Sequence, residues 1–300
     1  MDNKKPLMAH WNKELALLWT KNLPPCRPSW SEMAIYTKYL RIKQSQYPHR
    51  RVKLLILGSS AEFRDWGHQE NMDVTIIDCC KEYHDTIERE MRHKYREERL
   101  VIQLWQEMSF ENEFDIIVGD LVVGNLYPEE IPPCLQRISN ALKKDGFFMT
   151  KSFFRDENKP IKSYEGVILE YYRNGITYHP YPQLIYDIAM CCVDKKTGFL
   201  NFNYMYKETL KMYESGIMKK ETFEKFQHLG WEKDMKFLFY IPTFHQWENW
   251  VAKYLEIHAK EYGIDLYSKS FPIYIITTKY YKVVNTKKSI DDVKCHLKKR

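Results

Sequence analysis

Apolar positions along this chain follow two different periods. Val52–Leu57 reads as an apolar run of the kind buried on both faces of a parallel sheet. Val74–Ile77, ending in Asp78, is a second, and Leu100–Trp105 a third. Phe114–Val118 is a fourth, ending in Gly119-Asp120, and Asp145-Gly146 turns the chain into a fifth, Phe147–Ser152. Helical stretches lie between them. One starts near Ala61 and Glu62, residues 81–99 carry opposite charges four apart, and Pro128–Lys144 is the last of the set. Strands alternating with helices predict an α/β fold with a doubly wound, mostly parallel sheet.

The flanks read differently. Trp11, Leu15, Leu18 and Trp19 recur at helical spacing before Pro24, Pro25 and Pro28 break the pattern. Ser29 or Ser31, with Glu32 as the far half of a capping box, opens a helix over Trp30–Gln44. Beyond residue 155 the pattern predicts helices at Leu184–Val193 and Tyr204–Gly230, a strand at Lys236–Ile241, a helix at Phe244–Tyr262 and a last strand at Phe271–Lys279. The expected division is a helical cap over 1–50, a sheet domain over 51–282 with a helical insertion at 156–235, and a basic tail over 283–300.

Composition narrows the class. At 44% hydrophobic and 15% aromatic residues the chain can bury a large core, and disorder-prone chains are poorer in aromatics. No apolar run approaches the ~20 residues of a membrane span, and the N-terminus lacks a signal-peptide core, so a cytoplasmic protein is expected. The seven cysteines form no CxxC pair and are odd in number, which suggests neither a zinc site nor a disulfide framework. The net charge of +6 resides wholly in residues 279–300, where eight Lys/Arg face two Asp. The rest of the chain is balanced, unlike a body with its own nucleic-acid-binding face.

The chemistry concentrates where the first strand ends. LLILGSSAEFRDW places a single glycine, Gly58, at the strand-to-helix turn, the place where open parallel sheets bind ligands. Glycine permits close backbone approach, Ser59 and Ser60 are small, and the following helix offers free N–H groups. Asp78 lies twenty residues beyond Gly58, the spacing at which a carboxylate accepts hydrogen bonds from a ribose. Each feature has a plain structural reading too, a strand ending in glycine and a helix-capping aspartate. Together they favour an adenosine-containing cofactor. Ser60 and Phe63 stand where a dinucleotide turn has glycines, and there is no GxxxxGK[ST], so NAD, FAD and a P-loop are disfavoured. S-adenosylmethionine, which carries adenosine without phosphate, tolerates the missing glycines.

LLILGSSAEF, VTIID, LVIQLWQEM, FDIIVGD and LKKDGFFMTKSFF together resemble the motifs of class I S-adenosylmethionine-dependent methyltransferases over roughly Arg51 to Phe154. The opening HWN…W…RPSW resembles the N-terminal cap of a bacterial subgroup whose first motif reads LGxxxEF. The resemblance implies a Rossmann-like methyltransferase fold. It implies that Gly58 and Ser59 line the cofactor, that Asp78 holds its ribose, and that Cys79 lies near the adenine. Leu104 to Glu107, Trp105 included, would flank the adenine, with Glu107 or a backbone carbonyl accepting its amino group. Asp120 would lie beside the methionine end, and Arg27 would pair with the cofactor carboxylate.

Methyl transfer needs position more than unusual residues. Asp120 and His179, in the Pro-flanked ITYHPYPQL, are the candidate general bases. GDLVVGNLY replaces any NPPY-like run and disfavours amino-directed nucleic-acid methylation. Tyr171, Tyr172, Tyr178, Tyr181, Tyr186, Tyr204 and Tyr206 either line an aromatic pocket or form core. The expected function is therefore methyl transfer to a small-molecule acceptor. The alternatives are a catalytically silent scaffold and an RNA methyltransferase anchored by the basic tail.

Overall fold

The computed structural model describes residues 11–94, 96–158, 162–173, 180–228, 238–265 and 267–279. Its centre is a seven-stranded sheet made of β1 (Lys53–Leu57), β2 (Asp73–Asp78), β3 (Arg99–Ile102), β4 (Phe114–Asp120), β5 (Leu142–Lys151), β8 (Leu255–Glu261) and β9 (Ile273–Thr278), in the order β3-β2-β1-β4-β5-β9-β8. Strands β1 to β5 are parallel, and β9 runs antiparallel to both β5 and β8. The order reverses between β1 and β4, and the carboxyl ends of those strands define the switch point.

The sheet is buried on both faces. Leu54, Ile56, Ile116, Val118, Phe147 and Met149 face one layer, with Tyr36 and Leu40 of α2 (Trp30–Gln46) and Phe63 and Trp66 of α3 (Ala61–Gln69). Leu55, Leu57, Ile117 and Phe148 face the other, with Leu135 and Ile138 of α5 (Ile131–Ala141) and Trp247 and Val251 of α10 (Phe244–Tyr254). Burial on both sides is why these strands read as near-continuous apolar runs. Helix α2 is therefore part of a sheet layer. Helix α1 (Lys13–Trp19) packs instead against α4 (Lys81–Ile87). No described helix is long and apolar enough to cross a membrane.

Several expectations are corrected. The helix predicted over 81–99 ends at Ile87 with a single 3-10 turn, Glu88–Glu90. The backbone N–H groups of Arg92 and His93 donate to the Asp65 carboxylate, 2.8–2.9 Å, so they are lost to the helix. The third strand stops at Ile102, and Trp105 enters a 3-10 turn instead. The helix predicted over Tyr204–Gly230 is two, α8 (Phe202–Glu214) and α9 (Lys220–His228), parted at Gly216, whose φ of 77° no helix continues. The helix predicted over Phe244–Tyr262 stops at Tyr254. LEIHAKE is the edge strand β8, and its burial alternates residue by residue. Pro128–Lys144 shortens to α5 because residues 142–144 already belong to β5. Helix α7 (Pro180–Cys192) begins earlier than the apolar spacing indicates. Helix α6 (Tyr164–Arg173) and strand β6 (Phe199–Asn201) were without a sequence signal, and β6 pairs with β7 (Leu238–Tyr240) in a separate ribbon.

Candidate functional site

The turn after β1 is fixed by its backbone. Gly58 has φ 86°, and its N–H donates to Ile77 O at 2.9 Å, tying the turn to β2. Trp105 packs over this glycine, and its Nε1–H donates to the same Ile77 carbonyl at 3.1 Å. Ser59 Oγ–H donates to Asp78 Oδ2 at 2.6 Å, while Cys80 N–H donates to Asp78 Oδ1 at 3.0 Å. Burial pushes the Asp78 carboxyl up, opposed by these hydrogen bonds. A carboxylate has about four acceptor sites, so Asp78 retains capacity for a ligand's hydroxyls.

Asp120 closes the opposite side of the cavity from the end of β4. The next residue, Leu121, is buried in the left-handed region, φ 55° and ψ 29°. That conformation costs a non-glycine residue about 1–2 kcal/mol. Its N–H donates to Lys151 O, and its carbonyl accepts from Asn125 Nδ2, both at 2.9 Å. The Asp120 side chain is 2% exposed, and neither carboxyl oxygen has a hydrogen-bond partner among the described residues. Burial pushes this carboxyl up to about 8; nearby Lys151 opposes the shift, and Glu32 and Glu62 add to it.

Gly58, Ser59, Asp78, Cys79, Trp105 and Asp120 all line one cavity, as the sequence grouped them. Burial pushes the Cys79 thiol up to about 12, which leaves it a neutral wall rather than a nucleophile. Two expected residues lie elsewhere. Glu107 is exposed and does not line the cavity. Arg27 is committed to Glu62 Oε1 at 2.6 Å and to Thr20 O at 3.2 Å. His179 lies outside the described residues, as do Tyr178 and the basic tail.

Sequence reasoning missed four contributors. Trp11 lines the cavity and donates through Nε1 to Asn125 Oδ1 at 2.9 Å, closing α1's approach over the strand ends. Tyr83 lies beneath it, ring centroids 4.9 Å apart. Lys151, fully buried at the end of β5, is the fourth, and a lysine inside FFMTKSFF was the signal that pointed to it. The space so enclosed is small, about 40 Å³. A larger cleft of about 940 Å³ opens past the end of β5, between Arg155, Val167, Tyr171, Tyr186 and Met190. Phe153 links the two. It packs against Tyr186 at 6.3 Å between centroids, and it shares a core with Leu121, which lines the small cavity. Among the described residues no group of three or more His, Cys, Asp or Glu side chains converges as a metal site.

No known family profile matches the chain, and no curated protein does. Solved structures do. The chain is similar to a structure described as putative Zn-dependent alcohol dehydrogenases from Rhodobacter sphaeroides, with TM-score 0.57 and 12% identity over 92% of this chain and 100% of that one. It is also similar to the N-methyltransferase NodS from Bradyrhizobium japonicum WM9 in complex with S-adenosyl-l-homocysteine (TM-score 0.48, 9% identity, 92% of this chain and 100% of that one). A third is a structure of SAM-dependent methyltransferases from Methanosarcina mazei, with TM-score 0.45 and 13% identity over 79% of this chain and 97% of that one. The first likeness is one of fold. The fold is Rossmann-like, a doubly wound sheet with a mostly parallel core and flanking helices.

Proposed function

We propose that this chain is an S-adenosylmethionine-dependent methyltransferase acting on a small-molecule acceptor. The observation that carries the reading is the Gly58–Ser59–Asp78 arrangement at the switch point, facing an unpartnered Asp120 across one cavity. The donor and acceptor set fits the cofactor. Gly58 offers backbone without a side chain, Asp78 has acceptor capacity for two ribose hydroxyls, and Trp105 supplies a flat wall for a base. The Asp120 carboxyl, whose oxygens have no hydrogen-bond partner among the described residues, suits a polar group of the ligand. The space of about 40 Å³ is far below the roughly 300 Å³ or more of an ordinary ligand pocket, so in this reading the Trp11 flank moves aside to admit a nucleoside.

When bound, the cofactor supplies an electrophilic methyl on a sulfonium. The residues of this chain supply position and exclusion of water. Trp11 and Trp105 close the site, Asp78 fixes the sugar, and Asp120 holds or accepts a proton at its carboxyl oxygen. The 940 Å³ cleft, with Tyr171 and Tyr186 in its wall, is the acceptor side, separated from the cofactor side by Phe153. In this reading 51–282 together with α2 is the methyltransferase domain, 156–235 its acceptor-binding insertion and α1 with its approach the cap.

One observation favours a second reading. The small cavity is also what a catalytically silent scaffold would show. Incubation with methyl-labelled S-adenosylmethionine and a panel of small amines, phenols and thiols separates the two. Transfer of label that disappears in Asp78→Ala supports the enzyme. No cofactor binding and no transfer supports the scaffold.

A further inference from the structure

Lys151 is a buried cation between two buried carboxylates, and it is not shared equally. Its Nζ donates to Glu32 Oε2 at 2.7 Å and to Arg27 O at 3.2 Å. It lies 3.6 Å from Asp120 Oδ1, beyond hydrogen-bond reach. Glu32 and Lys151 are each fully buried, and Asp120 is nearly so. Glu32 Oε2 also accepts from Ser29 N–H at 2.8 Å, the capping box that starts α2. The box fixes the Glu32 carboxylate, and the carboxylate fixes the lysine. What remains at the cavity is Asp120 with both oxygens unpartnered among the described residues.

We propose that Glu32 is a positioning residue for the site: by taking the Lys151 hydrogen bond it holds the ammonium 3.6 Å from Asp120, an ion pair without a hydrogen bond, and leaves the hydrogen-bonding capacity of that carboxyl to a ligand. Helix α2 is then more than packing. It decides whether the carboxyl at the end of β4 is neutralised internally or by what binds. The charged and titratable groups facing Asp120 are Lys151 of β5, Glu32 and Tyr36 of α2, Glu62 of α3, and Cys26 before α2. Of these Lys151 is the one buried cation, so its placement dominates the balance. Only the nature of the ligand rests on the methyltransferase reading.

The test is the titration of the Asp120 carboxyl followed by carbon-13 NMR, with Asp120→Asn assigning the signal. Glu32→Gln is the informative variant, because glutamine also completes a capping box and α2 keeps its start. With Glu32 uncharged, the Asp120 midpoint falls by about one to three pH units, in part because the Glu32 charge itself is gone and in part because Lys151 turns to Asp120. Making Glu32→Gln in a Lys151→Met background isolates the direct charge effect of Glu32, and the shift there is expected to be several-fold smaller than with Lys151 present. A midpoint unmoved in Glu32→Gln, with helix content and melting behaviour retained, overturns the proposal. So do Glu32→Gln shifts of equal size with Lys151 present and in the Lys151→Met background. S-adenosylhomocysteine is titrated separately, and its failure to bind would count against the proposed function while the carboxyl titration still judges Glu32.

Discussion

Asp78 at the end of β2 and Asp120 at the end of β4 line one cavity, and their electrostatics make the proposed site testable. Asp120 keeps its proton up to about 8 in the folded chain, whereas an unfolded aspartate loses it near ~4. Between those values the folded state binds the additional proton, so this residue's contribution to stability declines as pH rises. Asp120→Asn removes that slope. Melting temperatures of wild type and variant should diverge from about pH 5 to about pH 9, the variant being the more stable at the alkaline end. Parallel curves would show that Asp120 titrates normally. The glycine turn and the acid at the end of β2 were legible because local backbone and strand period dictate them. The Glu32–Lys151 pair beside Asp120 was not, since the two are 119 residues apart in sequence and only the fold brings them together.

At the level of elements, strands buried on both faces were legible and edge elements were not. β1, β2, β4 and β5 declared themselves as apolar runs, while β8 hid behind the alternating charges Glu256, Lys260 and Glu261 of an exposed edge. The helix after β2 was overread for a related reason. Its favourable i, i+4 charges continue in sequence, but Asp65 captures the backbone N–H groups that would have extended it. Helix α1 and its approach bear on function most directly. Trp11 bridges to Asn125 and covers the cavity. Trp11→Ala should open that side and raise the association rate of S-adenosylhomocysteine several-fold in stopped-flow fluorescence. An unchanged rate would show that the ligand enters by another route.

Across the whole molecule, buried ion pairs tie the layers to one another. Arg64 of α3 forks onto Glu98 at 2.8–3.2 Å, with His68 Nε2 at 2.6 Å and His84 Nε2 at 3.6 Å. Burial alone would push the Glu98 carboxyl up, but His84, Arg64 and His68 together hold it down at about 2. An unfolded glutamate takes up its proton near ~4.3, so Glu98 stabilises the fold above that value and the contribution is lost as pH falls toward about 2. Glu98→Gln should abolish that part of the acid dependence and destabilise the chain at neutral pH, because Arg64 is left buried without its carboxylate. Chemical denaturation at about pH 7 and about pH 3 reads both effects, and equal losses at the two values would contradict this account. The central claim, that the β1–β4 switch point is an adenosine site, is tested most directly by calorimetric titration with S-adenosylhomocysteine, with Asp78→Ala as control. The account predicts saturable one-site binding to the wild type, lost in the variant while the melting transition persists. No binding to the wild type, or binding that Asp78→Ala leaves intact, would contradict it.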